Sequence, residues 1–449
     1  MNIKHIYFIG IGGIGMSAIA RYYNSQEGYV VSGYDRTSTE LTQNLEKEGI
    51  AIHYEARVDL IPKDKENTLV IYTPAIPSDF AELVLVQTEG YKLIKRSKAL
   101  GEIASTLKTL AISGTHGKTS TSTLLAHIIT NSGEGCTAFL GGISKNYHNN
   151  LLLSKSKVLV AEADEFDRSF LQLFPNIALI SSIDADHLDI YHDYNHILEA
   201  FTDFGKQCKD SLIIKKGIDF PCESVNAKIY RYSFDQECDF YAKNIKTLKG
   251  GYFEFDLHTP NEEIKNCTVG IPGWINVENG VGAAAVAYLH GTPAAKIKEG
   301  LASYQGVERR FDLHINTDKV VYIDDYAHHP KEISSAISSI RNMFPDRKLT
   351  GIFQPHLFSR TNDFYKEFAE SLDMLDKLIL LPIYPARELP IEGVSSHLIL
   401  DNMKLKDRVL VEKDQILETI KKSKPDVLIT FGAGDISNYI QPIKECLEN

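Results

Sequence analysis

Ala111-Ile112-Ser113-Gly114-Thr115-His116-Gly117-Lys118-Thr119-Ser120-Thr121 is the stretch on which the reading of this chain turns. Leu110 to Ile112 is an apolar run, Gly114 to Gly117 a glycine-rich turn, and the residues from Thr121 to Ile129 have apolar side chains at helical spacing. The order is strand, loop, helix. Glycines there let backbone N–H groups approach phosphate oxygens, and the helix N-terminus adds partial positive charge. Lys118 can reach the outer phosphates of a nucleotide, and the Thr119 hydroxyl can ligate Mg²⁺. The spacing is Gly-x-x-Gly-Lys-Thr, because Ile112 stands where the usual phosphate-loop pattern has its first glycine. We read an ATP site formed by Gly114, Thr115, His116, Gly117, Lys118, Thr119 and Ser120. The bland alternative is a glycine turn with a chance Lys-Thr, and the flanking strand and helix weigh against it.

Upstream, His5 to Ile9 is a strand-like run that opens into Gly10-Ile11-Gly12-Gly13-Ile14-Gly15-Met16 and then a helix. This Gly-x-Gly-x-x-Gly turn allows a diphosphate to approach the helix N-terminus. A second strand, 29–34, ends at Asp35, twenty residues beyond Gly15, where a carboxylate can accept from a ribose hydroxyl. A third, 69–72, places Thr73 at a carboxyl strand end, where open α/β sheets bind ligands. Read alone, the segment suggests NAD and an oxidoreductase. Any nucleotide diphosphate poses the same problem to the backbone, so that reading and a purely structural glycine turn both stay open.

Downstream, Val158 to Ala161 opens onto Glu162-Ala163-Asp164-Glu165-Phe166-Asp167-Arg168, and Ile177 to Ile183 onto Asp184-Ala185-Asp186-His187-Leu188-Asp189. Parallel neighbours would deliver both acidic loops to the edge that carries the phosphate loop. Glu162 and His187, with Thr119, are the candidate metal ligands; a solvated loop is the plain alternative for any single acid. Residues 211–270 read as short strands between polar turns, an antiparallel insertion on the central sheet. Asn276 and Asn279 stand one helical turn apart and can face one site, although helix capping explains a single Asn equally well. Arg309-Arg310 beside a hinge can contribute one cation to a phosphate. Beyond it, four strands open onto polar, ring-bearing or glycine-rich loops: 324–330, 354–361, 382–388 and 431–436.

The whole chain has 449 residues and a formal net charge of −11, which disfavours nucleic-acid and anionic-membrane partners. Its six cysteines are scattered without a C-x-x-C pair, as expected of reduced thiols. There is no cleavage-site pattern and no apolar stretch of about 18 residues. A cytoplasmic protein of α/β class is expected. It comprises an N-terminal Rossmann-like domain (1–107), a central phosphate-loop domain with the small antiparallel insertion (108–310) and a C-terminal Rossmann-like domain (311–449).

Gly-Thr-His-Gly-Lys-Thr, Glu-Ala-Asp-Glu-Phe-Asp-Arg-Ser, Asp-His-Leu-Asp-Ile-Tyr, Asp-Tyr-Ala-His-His-Pro and Gly-Ala-Gly-Asp recur in that order. Together they make the chain resemble the Mur ligase family over essentially its whole length. The stretches 10–16 and 353–361 resemble the alanine-adding type rather than the relative that adds a preformed peptide, which is kept as the alternative. The resemblance implies ATP-dependent joining of L-alanine to the lactyl carboxylate of UDP-N-acetylmuramate through an acyl phosphate, with Mg²⁺ or Mn²⁺. It implies that Gly12, Gly13, Ile14, Gly15, Met16, Asp35 and Thr73 bind the UDP-sugar. Lys118 would contact ATP, with Asn276, Asn279, Arg310 and Asp325 helping to place it. Thr119, Glu162 and His187 would hold the metal, and Tyr326, His356 and Arg360 would line the alanine pocket. Catalytic roles fall to Lys118, Arg310 and His328, the last as acceptor of the amine proton. Three departures stand out: Ile275 replaces a His, Leu357 stands where many relatives have Arg, and Glu199-Ala200-Phe201 offers no Lys for carbamylation. A monomer and a homodimer are equally compatible with the pattern.

Overall fold

A computed structural model describes residues 3–184, 191, 193–386 and 388–448. The chain divides into two compact units. One comprises Met1–Lys246, Glu254–Ile271 and Asn276–Gln305; the other comprises Thr247–Phe253, Pro272–Ile275 and Gly306–Asn449.

The first unit holds two sheets. Its N-terminal sheet is parallel, with strand order Ala51–His53, Val30–Tyr34, His5–Ile9, Thr68–Tyr72, Lys92–Lys95. Along His5–Ile9, Ile6 and Phe8 enter one apolar core while Tyr7 and Ile9 enter another. A strand buried on both faces carries a continuous apolar run, which is why it reads so plainly in sequence. Ile9 pairs with Tyr34 and Tyr72, and Tyr72 with Lys95. The residues that follow, Gly10, Asp35, Thr73 and Arg96, therefore leave the sheet along one edge.

The central sheet has ten strands. Lys108–Ser113 lies between Val158–Ala163 and Ile177–Ile180, with Ser113 paired to Ala163 and to Ile180. This register brings Gly114, Asp164 and Ser181 to a common edge, as the parallel reading required. The insertion differs from expectation. Ser211–Lys215 and Lys228–Ser233 run parallel to the sheet and extend it, and Phe240–Thr247 begins with a parallel pair as well. Antiparallel pairing is seen between Phe253–His258 and Glu263–Thr268 at the far edge. Leu212, Ile213 and Ile214 are all buried, so Ser211–Lys215 behaves as an interior parallel strand rather than as half of a hairpin.

Asn150 ties the two sheets of this unit together. From the edge strand Asn149–Leu152 its amide donates to the Ile14 carbonyl (2.6 Å) and the Ser17 hydroxyl (2.9 Å) and accepts from Arg21 (2.5 Å). All three partners belong to the helix Ile14–Asn24 that opens at the first glycine turn.

In the second unit, Asp312–Asn316 pairs antiparallel with Val321–Asp325. Val427–Phe431, Leu349–Phe353, Lys377–Leu380 and Arg408–Leu410 follow in parallel. Asp325 pairs with Phe431, Phe431 with Phe353, and Phe353 with Leu380, so Tyr326, Gly432, Gln354 and Leu381 emerge together. The helix Pro330–Met343 starts there because Pro330 presets its first turn and the Glu332 carboxylate accepts the N–H groups of His328 and His329.

Candidate active site

At the first glycine turn, Gly10 has φ +89°, a conformation glycine adopts without strain, and the N–H groups of Gly10 and Ile11 both reach the Tyr34 carbonyl. Asp35, expected at a ribose, has its carboxylate on the loop: it accepts from Gly12 N (2.7 Å) and Thr37 N (3.1 Å). Thr73 packs so closely that its methyl would lie 2.8 Å from a Cβ on Gly10. Gly13 is the N-cap of the helix, followed by Ile14, Gly15 and Met16 in the first turn. Arg96, which the sequence reading passed over, lies against Gly15.

The phosphate loop is braced by the neighbouring strand end. His116 N donates to Ser182 Oγ (2.8 Å), Ser181 Oγ donates to the His116 carbonyl (2.5 Å), and Thr115 Oγ1 lies 2.9 Å from Ser182 Oγ. Asp184 faces His116 Nε2 at 3.3 Å. Gly114 has φ +134°, and a Cβ there would collide with Ser181 Oγ, so both backbone and space demand glycine. Asn279 Oδ1 accepts from Thr121 and lies 3.0 Å from where a Cβ on Gly117 would stand. Asn276, one turn earlier, is buried. Ser120 accepts from Tyr304 through its carbonyl (3.3 Å).

Lys118 begins the helix Lys118–Asn131 and donates to the Gly114 carbonyl and to both carboxylate oxygens of Glu165, each at 2.8 Å. Burial alone would lower the lysine pKa. The charges of Glu165, Asp164 and Glu162 outweigh it and hold the pKa above its ordinary value, so Lys118 is a cation at neutral pH. Glu165, 1% exposed, is a partner that sequence reasoning missed among the surrounding acids.

Thr119 is buried at the start of that helix, and Glu162 is the penultimate residue of the strand Val158–Ala163, with its carboxylate against Gly141. A hydroxyl and a carboxylate at a phosphate loop are hard oxygen donors of the type Mg²⁺ and Mn²⁺ accept, so the two fit a divalent cation. His187 lies outside the described residues. Among the described residues no cluster of three His, Cys, Asp or Glu side chains forms a protein-only metal cage.

The second unit gathers a ladder of rings. The Arg310 guanidinium lies 5.4 Å from the Tyr326 centroid, Tyr326 meets His328 edge-on at 5.2 Å, His328 meets His356 at 6.2 Å, and His356 stacks on Tyr384 at 5.8 Å. Arg360 Nη1 approaches His356 Nδ1 at 3.5 Å. Burial, reinforced by Arg360 and His328, lowers the His356 pKa to about 4; burial also lowers that of His328 against the pull of Glu332. Both imidazoles are neutral at pH 7. Of the two arginines at the hinge, Arg309 is committed to the fold, donating to buried Asp324 (3.0 Å) and to the Gly432 carbonyl (2.6 Å). Asp325 accepts from Phe311 N and Ala327 N, both at 2.7 Å, and burial pushes its pKa up to about 6 although Arg310 pulls it down. Tyr384 is a second residue the sequence left out: its backbone pairs with the loop at His356, and Gly434 packs against its ring.

Two glycine-rich loops, and a ladder of rings flanked by Arg310 and Arg360, thus stand on one chain. Family models match residues 5–108 (Mur ligase family, catalytic domain), 112–287 (Mur ligase middle domain) and 309–434 (Mur ligase, glutamate ligase domain). The chain belongs to the Mur ligase family. The match at 5–108 sets aside the oxidoreductase reading of the first glycine turn. Among curated Mur ligases, the UDP-N-acetylmuramate--L-alanine ligase of Phocaeicola vulgatus is 50% identical, with 98% of each chain covered. That of Parabacteroides distasonis is 47% identical, covering 99% of this chain and 98% of its own. Among solved structures, the UDP-N-acetylmuramate-alanine ligase of Thermotoga maritima superposes with a TM-score of 0.83 at 26% identity, covering 99% of both chains. A murein peptide ligase from Psychrobacter arcticus shares the Mur ligase fold, with a TM-score of 0.71 at 21% identity over 99% of both chains.

Proposed function

We infer that this chain is an ATP-dependent ligase that joins L-alanine to the lactyl carboxylate of UDP-N-acetylmuramate in peptidoglycan precursor synthesis, releasing ADP and phosphate. The observation that carries this reading is end-to-end similarity, at 45–50% identity, to ligases of that name. That these full-length relatives are all named for L-alanine favours alanine over a preformed peptide.

The residues are assigned as follows. Gly12 to Met16, with Asp35 and Thr73 at the same sheet edge, hold the UDP-sugar. Gly114 to Ser120, Asn276, Asn279, Arg310 and Asp325 place ATP. The lactyl carboxylate attacks the γ-phosphorus, and the cation of Lys118 offsets the repulsion between the two anions. Held by the Thr119 hydroxyl and Glu162, Mg²⁺ or Mn²⁺ would neutralise phosphate charge. The product is an acyl phosphate plus ADP. The alanine carboxylate is clamped by Arg360 beside His356 and Tyr326, and its amine attacks the acyl carbon, expelling phosphate. His328 takes the amine proton: with Nδ1 donating to the Tyr326 carbonyl at 3.0 Å, neutral His328 presents Nε2 as the acceptor.

The three working parts are residues 1–107, 108–310 and 311–449. A cytoplasmic setting fits the six cysteines, none of them in a disulfide. The test is phosphate release by purified protein with UDP-N-acetylmuramate, ATP and, in turn, L-alanine, glycine and L-serine. Release that depends on L-alanine is expected, and release independent of any amino acid would refute the assignment.

A further inference from the structure

We propose that Arg96 is a diphosphate-binding residue of the UDP-sugar site that exchanges its contact with Asp164 for phosphate oxygens. The proposal rests on the reading that the first glycine turn holds the UDP-sugar.

Arg96 follows the strand Lys92–Lys95, whose last residue pairs with Tyr72, which in turn pairs with Ile9. It therefore leaves the sheet at the edge that carries Gly10 and Thr73. Its guanidinium crosses Gly15: a Cβ there would lie 2.6 Å from Nη1, 3.3 Å from Cδ and 3.5 Å from Cζ. Gly15 thus keeps room for this cation as well as for the turn. The helix it touches starts at Gly13 with no side-chain cap and no acidic residue in its first turn. A guanidinium against the positive pole of an uncapped helix is repelled by it, and an anion seated between the two removes the repulsion. Arg96 reaches a carboxylate at Asp164, but Nη2 to Oδ2 is 3.5 Å, longer than the 2.7–2.9 Å of a well-formed charge-assisted bond, and both side chains are partly exposed. Such a contact exchanges readily for phosphate oxygens, to which the planar guanidinium offers paired donors.

Titration of UDP-N-acetylmuramate and, separately, ATP into folded wild-type, Arg96→Ala, Arg96→Lys, Asp164→Asn and Gly12→Val proteins tests the idea. Arg96→Ala is expected to weaken UDP-sugar binding at least about tenfold and Arg96→Lys less, with ATP binding within about twofold of wild type. Asp164→Asn is expected to bind the UDP-sugar as tightly as wild type or more tightly. Undiminished binding by Arg96→Ala overturns the proposal, and so does equal weakening by Arg96→Ala and Asp164→Asn, which would mark a merely structural pair. Should wild type fail to bind the UDP-sugar, or Gly12→Val bind it normally, the glycine-turn reading itself falls and Arg96 with it.

Discussion

Lys118 and Glu165, 47 positions apart, form a buried ion pair in which one ammonium contacts both carboxylate oxygens at 2.8 Å. Removing the lysine alone strands a carboxylate in a site from which water is excluded. Lys118→Ala is accordingly expected to slow ADP formation by roughly 10²–10³ or more and to lose about 3 kcal/mol of stability. Lys118→Met combined with Glu165→Gln should recover much of the stability and none of the activity. Urea unfolding and an ADP-release assay on the same samples separate the two effects; normal turnover in either variant would remove Lys118 from the mechanism.

Arg360 is the proposed carboxylate clamp, and Leu357 supplies no second cation. Arg360→Ala should raise the alanine KM by about 10–100-fold, the worth of one charge-assisted contact or two. The KM for UDP-N-acetylmuramate should stay near wild type. Steady-state kinetics with each substrate varied in turn decides this, and the opposite pattern would move Arg360 to the sugar.

The pH dependence follows from His328. Its folded-state pKa lies below the ordinary value, so the ring remains an acceptor as pH falls through about 6.5 and is lost only at lower pH. The acid limb of kcat should therefore lie below pH 6.5 and be absent from the residual activity of His328→Asn. For stability the sign is the same at His356: the unfolded ring binds protons below about 6.5, the folded one only near 4. Its contribution to folding is complete above pH 6.5 and fades as pH drops toward 4. An acid limb above pH 7 would reassign the base.

Gly434→Ala tests the wall behind His356. A Cβ there meets Gln354 Oε1 and lies 2.8 Å from the Tyr384 Cβ, so the ring stacked on His356 must shift. We expect a cost of about 1–3 kcal/mol and a raised alanine KM with ATP affinity unchanged, measured by thermal melts and kinetics.

Asn150→Leu should destabilise the first unit by about 1–3 kcal/mol, because the Arg21 guanidinium and the Ser17 hydroxyl each lose a buried partner. Urea titration monitored by fluorescence and circular dichroism checks it; an unchanged midpoint would mean that water replaces the amide without penalty.

Much of this was legible because the strands are short apolar runs that end in chemistry. Ile6 to Ile9 and Leu110 to Ile112 are buried on both faces, so a run of apolar residues, a glycine turn and a helical period could each be read locally. Direction was only partly read: the antiparallel expectation holds for 253–268, whereas Leu212-Ile213-Ile214, a continuous apolar run of the kind an interior parallel strand carries, was taken as antiparallel because short strands between polar turns suggest hairpins. Partnerships across distance were hidden as well. Glu165 stood unmarked among the acids of a polar loop, and Arg96 was passed over, since only the register from Ile9 through Tyr72 to Lys95 brings it to the glycine edge. Asp35 was located in the chain, but its local role was not: the carboxylate accepts from Gly12 N and Thr37 N and so braces the glycine turn, with lone pairs left for a ribose hydroxyl.

The amide of Asn150 also bears on how such a chain can be recombined. Its contacts to Ile14, Ser17 and Arg21 make the segment preceding residue 108 a poor cassette: grafted onto a central sheet whose edge strand lacks an equivalent amide, it would keep Arg21 on Glu48 and Ser17 on the Ile14 carbonyl, but its first helix would lose every bond it makes to that edge strand through Asn150. Chimeras between relatives should then succeed or fail according to whether position 150 travels with the first helix, even though more than a hundred residues separate them in the chain.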